Sequence, residues 1–155
     1  MKITLLVVGK TTDARLEALI SEYQERLKHY VPFELAVIPE LKNAKNLTFE
    51  QQKSAEGEMI LRAVGKSQVV LLDEHGREYR SMEFAEYLNR QMSSGQDVTF
   101  VVGGPYGFSP EVYARANGKI SLSQMTFSHQ MIRLLFVEQI YRAMTILRHE
   151  PYHHE

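Results

Sequence analysis

The residues of this chain that could do chemistry fall into two groups, glycine-bearing turns that admit a ligand close to the backbone and a line of polar side chains on one apolar segment. The turns are Leu72-Asp73-Glu74-His75-Gly76 and Val102-Gly103-Gly104-Pro105-Tyr106-Gly107. The second is no Walker loop, since no Gly-Lys-Ser/Thr follows, and it lacks the glycine spacing of a dinucleotide fingerprint. It also holds no Lys or Arg to grip a phosphate. A glycine pair without phosphate-binding equipment suits close approach to an uncharged or cationic ligand, for example an adenosine bearing no phosphates. In the second group, Glu138, Arg142, Thr145 and His149 recur at steps of four, three and four, which is one stripe of a helix surface. A Glu–Arg pair at i,i+4 is ordinarily a solvated ion pair. Set in an apolar helix it would be partly desolvated, and so a candidate for holding or moving charge.

Other chemistries find little support. The chain has no Cys, which removes disulfides, thiolate metal sites and cysteine nucleophiles. Ser109 and Ser128 lack a nucleophile-elbow context. His149, His153 and His154 are interrupted by Pro151 and have no carboxylate at ligand spacing, so no metal is expected.

The elements that must position these residues alternate. Lys2 to Val8 reads as a buried strand closed by Gly9, and Asp13 caps an amphipathic helix over Ala14 to Lys28. Phe33 to Ile38 is a second strand. The lysine- and asparagine-rich Glu40 to Leu47 is a solvent loop, and Thr48 caps a helix from Phe49 to about Val64. Gln68 to Leu72 is a third strand, with Asp73 to Arg77 as a polar turn after it. Ser81 caps a helix that stops at Ser94-Gly95, Asp97 to Val102 is a fourth strand, and Ser109-Pro110-Glu111 opens a short helix. A fifth strand lies around Lys119 to Leu122, and a long helix runs from His129 to Arg148. Strands this uniformly apolar have no wet face, which predicts an α/β domain whose mainly parallel sheet carries helices on both faces. The last helix is apolar in nearly every direction, so one face is expected against the sheet and the other against a second subunit, with Leu135 and Ile140 as candidate contacts.

Composition bounds the rest. With 155 residues, 44% hydrophobic, the chain can form one domain spanning residues 1–155 around its own core. Lys and Arg number 18 against 19 Asp and Glu, so no global basic field marks a nucleic-acid partner, and any RNA must meet a local patch. No apolar run is long enough to span a membrane, and the opening segment lacks a signal-peptide pattern, so a cytoplasmic protein with no membrane partner is expected.

Several residues together carry a resemblance. The opening Met1-Lys2-Ile3 with Val8-Gly9-Lys10, Glu22-Tyr23, Glu56-Gly57, Val102-Gly103-Gly104 with Gly107, Leu122-Ser123 and Met125-Thr126-Phe127 belong to it. So do His129-Gln130-Met131, Arg133, Glu138-Gln139, Tyr141-Arg142-Ala143 and the ending Pro151-Tyr152-His153. Over its whole length the sequence resembles the bacterial large-subunit (23S) ribosomal RNA pseudouridine N3-methyltransferases, members of the SPOUT class. Glycine pairs are common, whereas His129, Glu138, Tyr141-Arg142-Ala143 and the Tyr-His tail in one chain of this length are specific. Two positions depart from the pattern. His154-Glu155 follows Tyr152-His153 where some members have Arg or Lys, replacing a permanent cation by a titratable one, and Ser128 stands where several have Pro.

The resemblance implies an α/β-knot, a mainly parallel sheet with a carboxyl-terminal trefoil knot, in a homodimer that binds S-adenosyl-L-methionine. By position the cofactor contacts would be Leu72, Gly103, Leu122, Ser123, Gln124, Met125, Thr126 and Phe127. The implied substrate is ribosomal RNA in the assembled ribosome. Methyl transfer to N3 of pseudouridine also releases a proton. Glu138 is the first candidate to accept it or orient the base, His129 is the alternative, and Arg142 would stabilise the resulting charge. Arg133, Tyr152, His153 and His154 are the expected RNA contacts, the tail being the moving part with Tyr152 able to stack on a base. A non-catalytic RNA-binding or ribosome-assembly factor of the same fold is the alternative, and it would bind no S-adenosylmethionine. A flavodoxin-like module fits the alternation of elements but not the apolar last helix.

Overall fold

The structure, a computed structural model, describes residues 1–155. Five apolar runs form strands: β1 (Ile3–Val8), β2 (Phe33–Ile38), β3 (Gln68–Glu78), β4 (Val98–Val102) and β5 (Gly118–Ser121). They make one sheet in the order β2-β1-β4-β3-β5, and every neighbouring pair is parallel. Parallel pairing requires crossovers. α1 (Ala14–Leu27), α2 (Phe49–Val64), α3 (Ser81–Ser93) and α4 (Pro110–Arg115) supply them, and α5 (Met131–Leu147) closes the chain.

The helix starts follow from their caps. Asp13 accepts the Arg15 amide, Thr48 and Gln51 form a reciprocal capping box, and Ser109 accepts the Val112 amide with Pro110 in the first turn. α3 differs by one position, because Ser81 is its first helical residue and the Glu83 carboxylate instead accepts the Arg80 amide at 2.8 Å.

Strand alternation splits the core. Ile3, Leu5, Val7, Phe100 and Val102 pack under α1, α3 and α5, while Leu6, Val69, Leu71 and Val101 pack under α2 and α4. α5 therefore finds most of its apolar partners within its own chain, lying against the sheet between α1 and α3. Ile140 is fully buried there, which corrects its expected role as a subunit contact. Leu135 remains half-buried on the outer side.

The polar stretch after Leu72 is not a turn that ends β3. The strand continues to Glu78: Leu72 and Arg77 both align with Ile120, and Asp73–Gly76 bulge out between them. Gly76 permits this, since a Cβ there would lie 2.6 Å from the Ile120 backbone. A turn pattern in sequence and a bulge against a neighbouring strand carry the same residues, and only the pairing with β5 separates them.

Candidate functional site

Beside the bulge of β3 and at the carboxyl ends of β4 and β5 the chain lines an open cavity of about 620 Å³, in the range of small-ligand sites. Leu72 to His75, the glycine turn Gly103 to Phe108, Tyr113, and the segment after β5 through His129 and Ile132 form its walls. Of the expected cofactor contacts, Leu72, Gly103, Leu122, Ser123, Met125, Thr126 and Phe127 line it. Gln124 does not; it is exposed outside the wall.

No Lys or Arg lines the cavity, whereas Asp73 and Glu74 do. The residues present thus fit an adenosine-type ligand carrying positive rather than negative charge, as the glycine turn alone implied. Gly103 is held close: a Cβ there would stand 2.9 Å from the Phe108 ring, so any side chain at 103 would press on the core as well as on a ligand.

Sequence reasoning attached no role to Asp73. Its carboxylate accepts the His75 amide at 2.8 Å and the Tyr113 hydroxyl, tying the β3 bulge to α4. Burial alone would raise the Asp73 carboxyl, but these hydrogen bonds outweigh it and hold the group below its ordinary value. The same contact works in the opposite sense on Tyr113, whose hydroxyl is pushed up to about 12 by burial and the neighbouring carboxylate. An acid directly after a parallel strand, at the end where ligands bind, was the available signal.

Glu56 is a second such residue. It is buried on α2 behind the glycine turn, and a Cβ on Gly104 would lie 2.5 Å from its Oε1. Its one hydrogen bond is a long 3.4 Å contact donated by Gln52. Burial raises its pKa, the Gln52 contact only partly offsets this, and nearby Glu40 adds to the rise. A folded pKa above the unfolded one means stability that is present below the unfolded pKa and lost as pH rises through the folded one. Glu56→Gln should therefore melt higher than wild type at pH 7, by about 2–4 °C for each ~1 kcal/mol recovered. Thermal melts at low pH should show the advantage vanish below about pH 4, where both states of the carboxyl are protonated.

The segment entering α5 is fixed by two side chains. Gln130 accepts the Thr12 amide at 3.0 Å and donates to the Lys10 carbonyl at 3.3 Å. Arg133 donates to the carbonyls of Val8 at 2.9 Å and His129 at 3.0 Å and to the Thr11 hydroxyl at 3.1 Å. Arg133 is fully buried, so the expectation that it touches RNA is corrected: its guanidinium faces inward, onto the Val8 carbonyl at the end of β1 and the Thr11 hydroxyl beyond it. Burial lowers its pKa, against a rise from Glu40. His129, by contrast, is exposed on the cavity wall, and its ring makes no hydrogen bond.

Glu138 and Arg142 are half-buried and form the expected ion pair at 2.9 Å. They do not line the cavity. From His129 to Glu138 the chain runs nine residues, about 13 Å as helix. Thr145 leaves the polar stripe altogether, being buried with its hydroxyl donating to the Arg142 carbonyl.

The tail is fastened rather than frayed. His149 takes a left-handed conformation (φ 58°), with its amide on the Ile146 carbonyl and the Glu150 amide on the Thr145 carbonyl, a Schellman ending that turns the chain back along α5. Tyr152 then donates to Glu138 at 2.9 Å, meets the Tyr23 hydroxyl at 3.3 Å, and packs edge-on against Tyr141. Burial and these two hydrogen-bond partners push the Tyr152 hydroxyl well above its usual value. Arg142 donates to Nδ1 of His153 at 3.0 Å, so a neutral His153 carries its proton on Nε2. That Nε2 is buried and has no hydrogen-bond partner. The expectation of a mobile tail is thereby corrected, and of Tyr152, His153 and His154 only His154 is exposed.

Among parallel α/β domains, a strand-end cavity that no Lys or Arg lines is a site for a small ligand without phosphate groups. The family described as "Predicted SPOUT methyltransferase" matches residues 1–153, and the chain belongs to that family. A protein of Phocaeicola vulgatus named ribosomal RNA large subunit methyltransferase H is 59% identical over 157 aligned positions, covering 100% of both chains. One of the same name from Flavobacterium johnsoniae is 52% identical over the same span, again covering 100% of both. Among solved structures, the SpoU methyltransferase AviRb of Streptomyces viridochromogenes, described in complex with AdoMet, aligns with a TM-score of 0.44 at 10% identity. That alignment covers 96% of this chain and 61% of AviRb.

Proposed function

We propose that this chain is a methyltransferase that uses S-adenosylmethionine to methylate N3 of a pseudouridine in large-subunit ribosomal RNA, acting as a homodimer on the assembled ribosome in the cytoplasm. The observation that carries the reading is one cavity bounded by Leu72, Gly103 and the Leu122–Phe127 segment, free of Lys and Arg, in a chain related along its full length to proteins named for this RNA. S-adenosylmethionine supplies a methyl group activated by its sulfonium. Around it, the carboxylates of Asp73 and Glu74 offset positive charge, and the glycine turn admits an adenosine against the backbone. The trefoil threading of the segment after β5 belongs to the same reading.

The roles within the chain follow from what each side chain is already doing. Glu138 accepts from Arg142 and Tyr152 through Oε1 and from Gln139 through Oε2. A carboxylate so engaged is committed to holding Arg142 and the tail in place. His129, on the cavity wall with an uncommitted ring, is the better acceptor for the N3 proton. Arg142, fixed by Glu138 and His153, is preorganised to stabilise negative charge on the base or a phosphate.

These two sets of residues sit too far apart along α5 to act on one base within a single chain. A second copy resolves this if the outer strips of two α5 helices meet, bringing one copy's tail to the other's cavity. Phe127 (38% exposed) shares a groove with Leu135 and Gln139, and Met131 (43%) opens α5; both would be covered. Leu135→Asp should convert a micromolar dimer to monomer with its helix content intact, as read by sedimentation equilibrium and circular dichroism. A wild-type monomer at that concentration would remove the two-copy site.

The direct test is methyl transfer by the purified protein to ribosomes from cells lacking it, with the product mapped by mass spectrometry. One methylated pseudouridine is expected. Ribosomal RNA identical with and without the protein, together with no S-adenosylmethionine binding by calorimetry, would favour the assembly-factor alternative.

A further inference from the structure

Phe49 and Tyr106 are stacked on each other in solvent. Their ring centroids are 4.1 Å apart at 22°, yet Phe49 is 62% and Tyr106 43% exposed. Phe49 is the first residue of α2, and Tyr106 tips the turn that the Gly107 amide closes on the Gly104 carbonyl. Neither ring belongs to the core on either face of the sheet. Tyr106 also lines the cavity, so the pair forms a lip at its mouth.

We propose that this pair is a stacking platform for an unpaired nucleobase of the RNA that flanks the reacting base, a subsite that rests on the RNA-methyltransferase reading. Each ring covers one face of the other, yet both residues keep much of their surface in solvent, which leaves room for a base to extend the stack. The segment leading to Phe49 carries Lys42 and Lys45, both exposed and neither in an ion pair. On the other side of Phe49, Glu50 is neutralised by Lys53 at 3.1 Å. An aromatic face beside unpaired cations matches single-stranded RNA, whose bases stack and whose phosphates attract lysine. The platform lies on the α2 side of the sheet, away from the Met131 and Leu135 strip on α5, so the proposed dimer would not cover it.

The chain has no Trp, so Phe49→Trp installs a single tryptophan in the platform, which can be excited selectively over the tyrosines at the long-wavelength edge of its absorption. Titration with hexaadenylate RNA should quench it saturably, and less at high salt, while Met82→Trp on α3, at a site 42% exposed, should stay unquenched. In methyl-transfer kinetics on ribosomes, Phe49→Ala should raise KM about tenfold, leave kcat and S-adenosylmethionine affinity within about twofold, and be restored by Phe49→Tyr. An unchanged KM for Phe49→Ala beside an active wild type overturns the platform whatever the fluorescence shows. Should the wild type transfer no methyl group, the functional reading falls and the quenching of Phe49→Trp alone decides the platform. A concentration-dependent blue shift of Phe49→Trp without RNA would assign the surface to a protein contact and overturn the proposal.

Discussion

Arg133→Ala should destabilise the protein by about 3–5 kcal/mol, the sum of a cavity left by a fully buried long side chain and acceptors left without a donor. The side chain heads the fully buried residues by volume. Its guanidinium supplies donors to the Val8 and His129 carbonyls and the Thr11 hydroxyl. No other donor is placed to replace it, and the loss would free both the loop after β1 and the segment carrying His129. Chemical denaturation should show a lower midpoint with an unchanged slope. Arg133→Lys should recover little, because one ammonium cannot match the fixed fork that reaches three acceptors on two segments. Native stability in Arg133→Ala would mean that water fills the site and serves those acceptors.

Deleting residues 151–155 should reduce methyl transfer to ribosomes by tenfold or more while S-adenosylmethionine affinity stays within about twofold. The cavity contains none of the deleted residues, which protects cofactor binding. Arg142, however, would lose the His153 ring and the Tyr152 face 4.8 Å from its guanidinium. Glu138 would lose the Tyr152 hydroxyl. The remaining ion pair is then free to reorient, and a charge-stabilising group loses its effect when it must be organised during the reaction. Because Tyr152 also packs on Tyr141 and bonds Tyr23, melting should fall by a few degrees, about 1 kcal/mol or more. Tyr152→Phe separates the two contributions: it keeps the packing, loses the hydroxyl, and should retain stability while losing part of the turnover. Full turnover by the truncated protein would show that the tail serves only to pack α5.

The RNA contacts expected from the tail take a different form here. A Tyr152 ring already held between Tyr141 and Arg142 does not stack on a base without leaving a formed site. The exposed stack at the cavity lip is the better placed aromatic surface, and its two residues lie too far apart in sequence for any spacing rule to join them.

The sequence by itself determined the order and type of the elements and the parallel sheet. Apolar runs such as Leu5 to Val8 and Val98 to Val102 admit no wet face, and Asp13, Thr48 and Ser109 mark helix starts through hydrogen bonds to amides two or three residues on. It also pointed to the character of the cavity, since the glycine pair has no cation beside it in sequence, whereas the absence of Lys and Arg from the whole lining was decided by which segments the fold brings together. Tertiary structure decided what each polar side chain faces. Arg133 and Glu138 lie on the same helix and read alike as charged residues in an apolar stretch, yet one is buried against the end of β1 and the other is clasped by the tail. Burial of a charge depends on which carbonyls or donors arrive from distant segments, and helical periodicity records only which side of its own axis a residue occupies. For the same reason Asp73 to Gly76 could not be told from a turn until β5 lay beside them, and the tail could not be told from a loose end until His149 had turned it back onto Glu138 and Arg142.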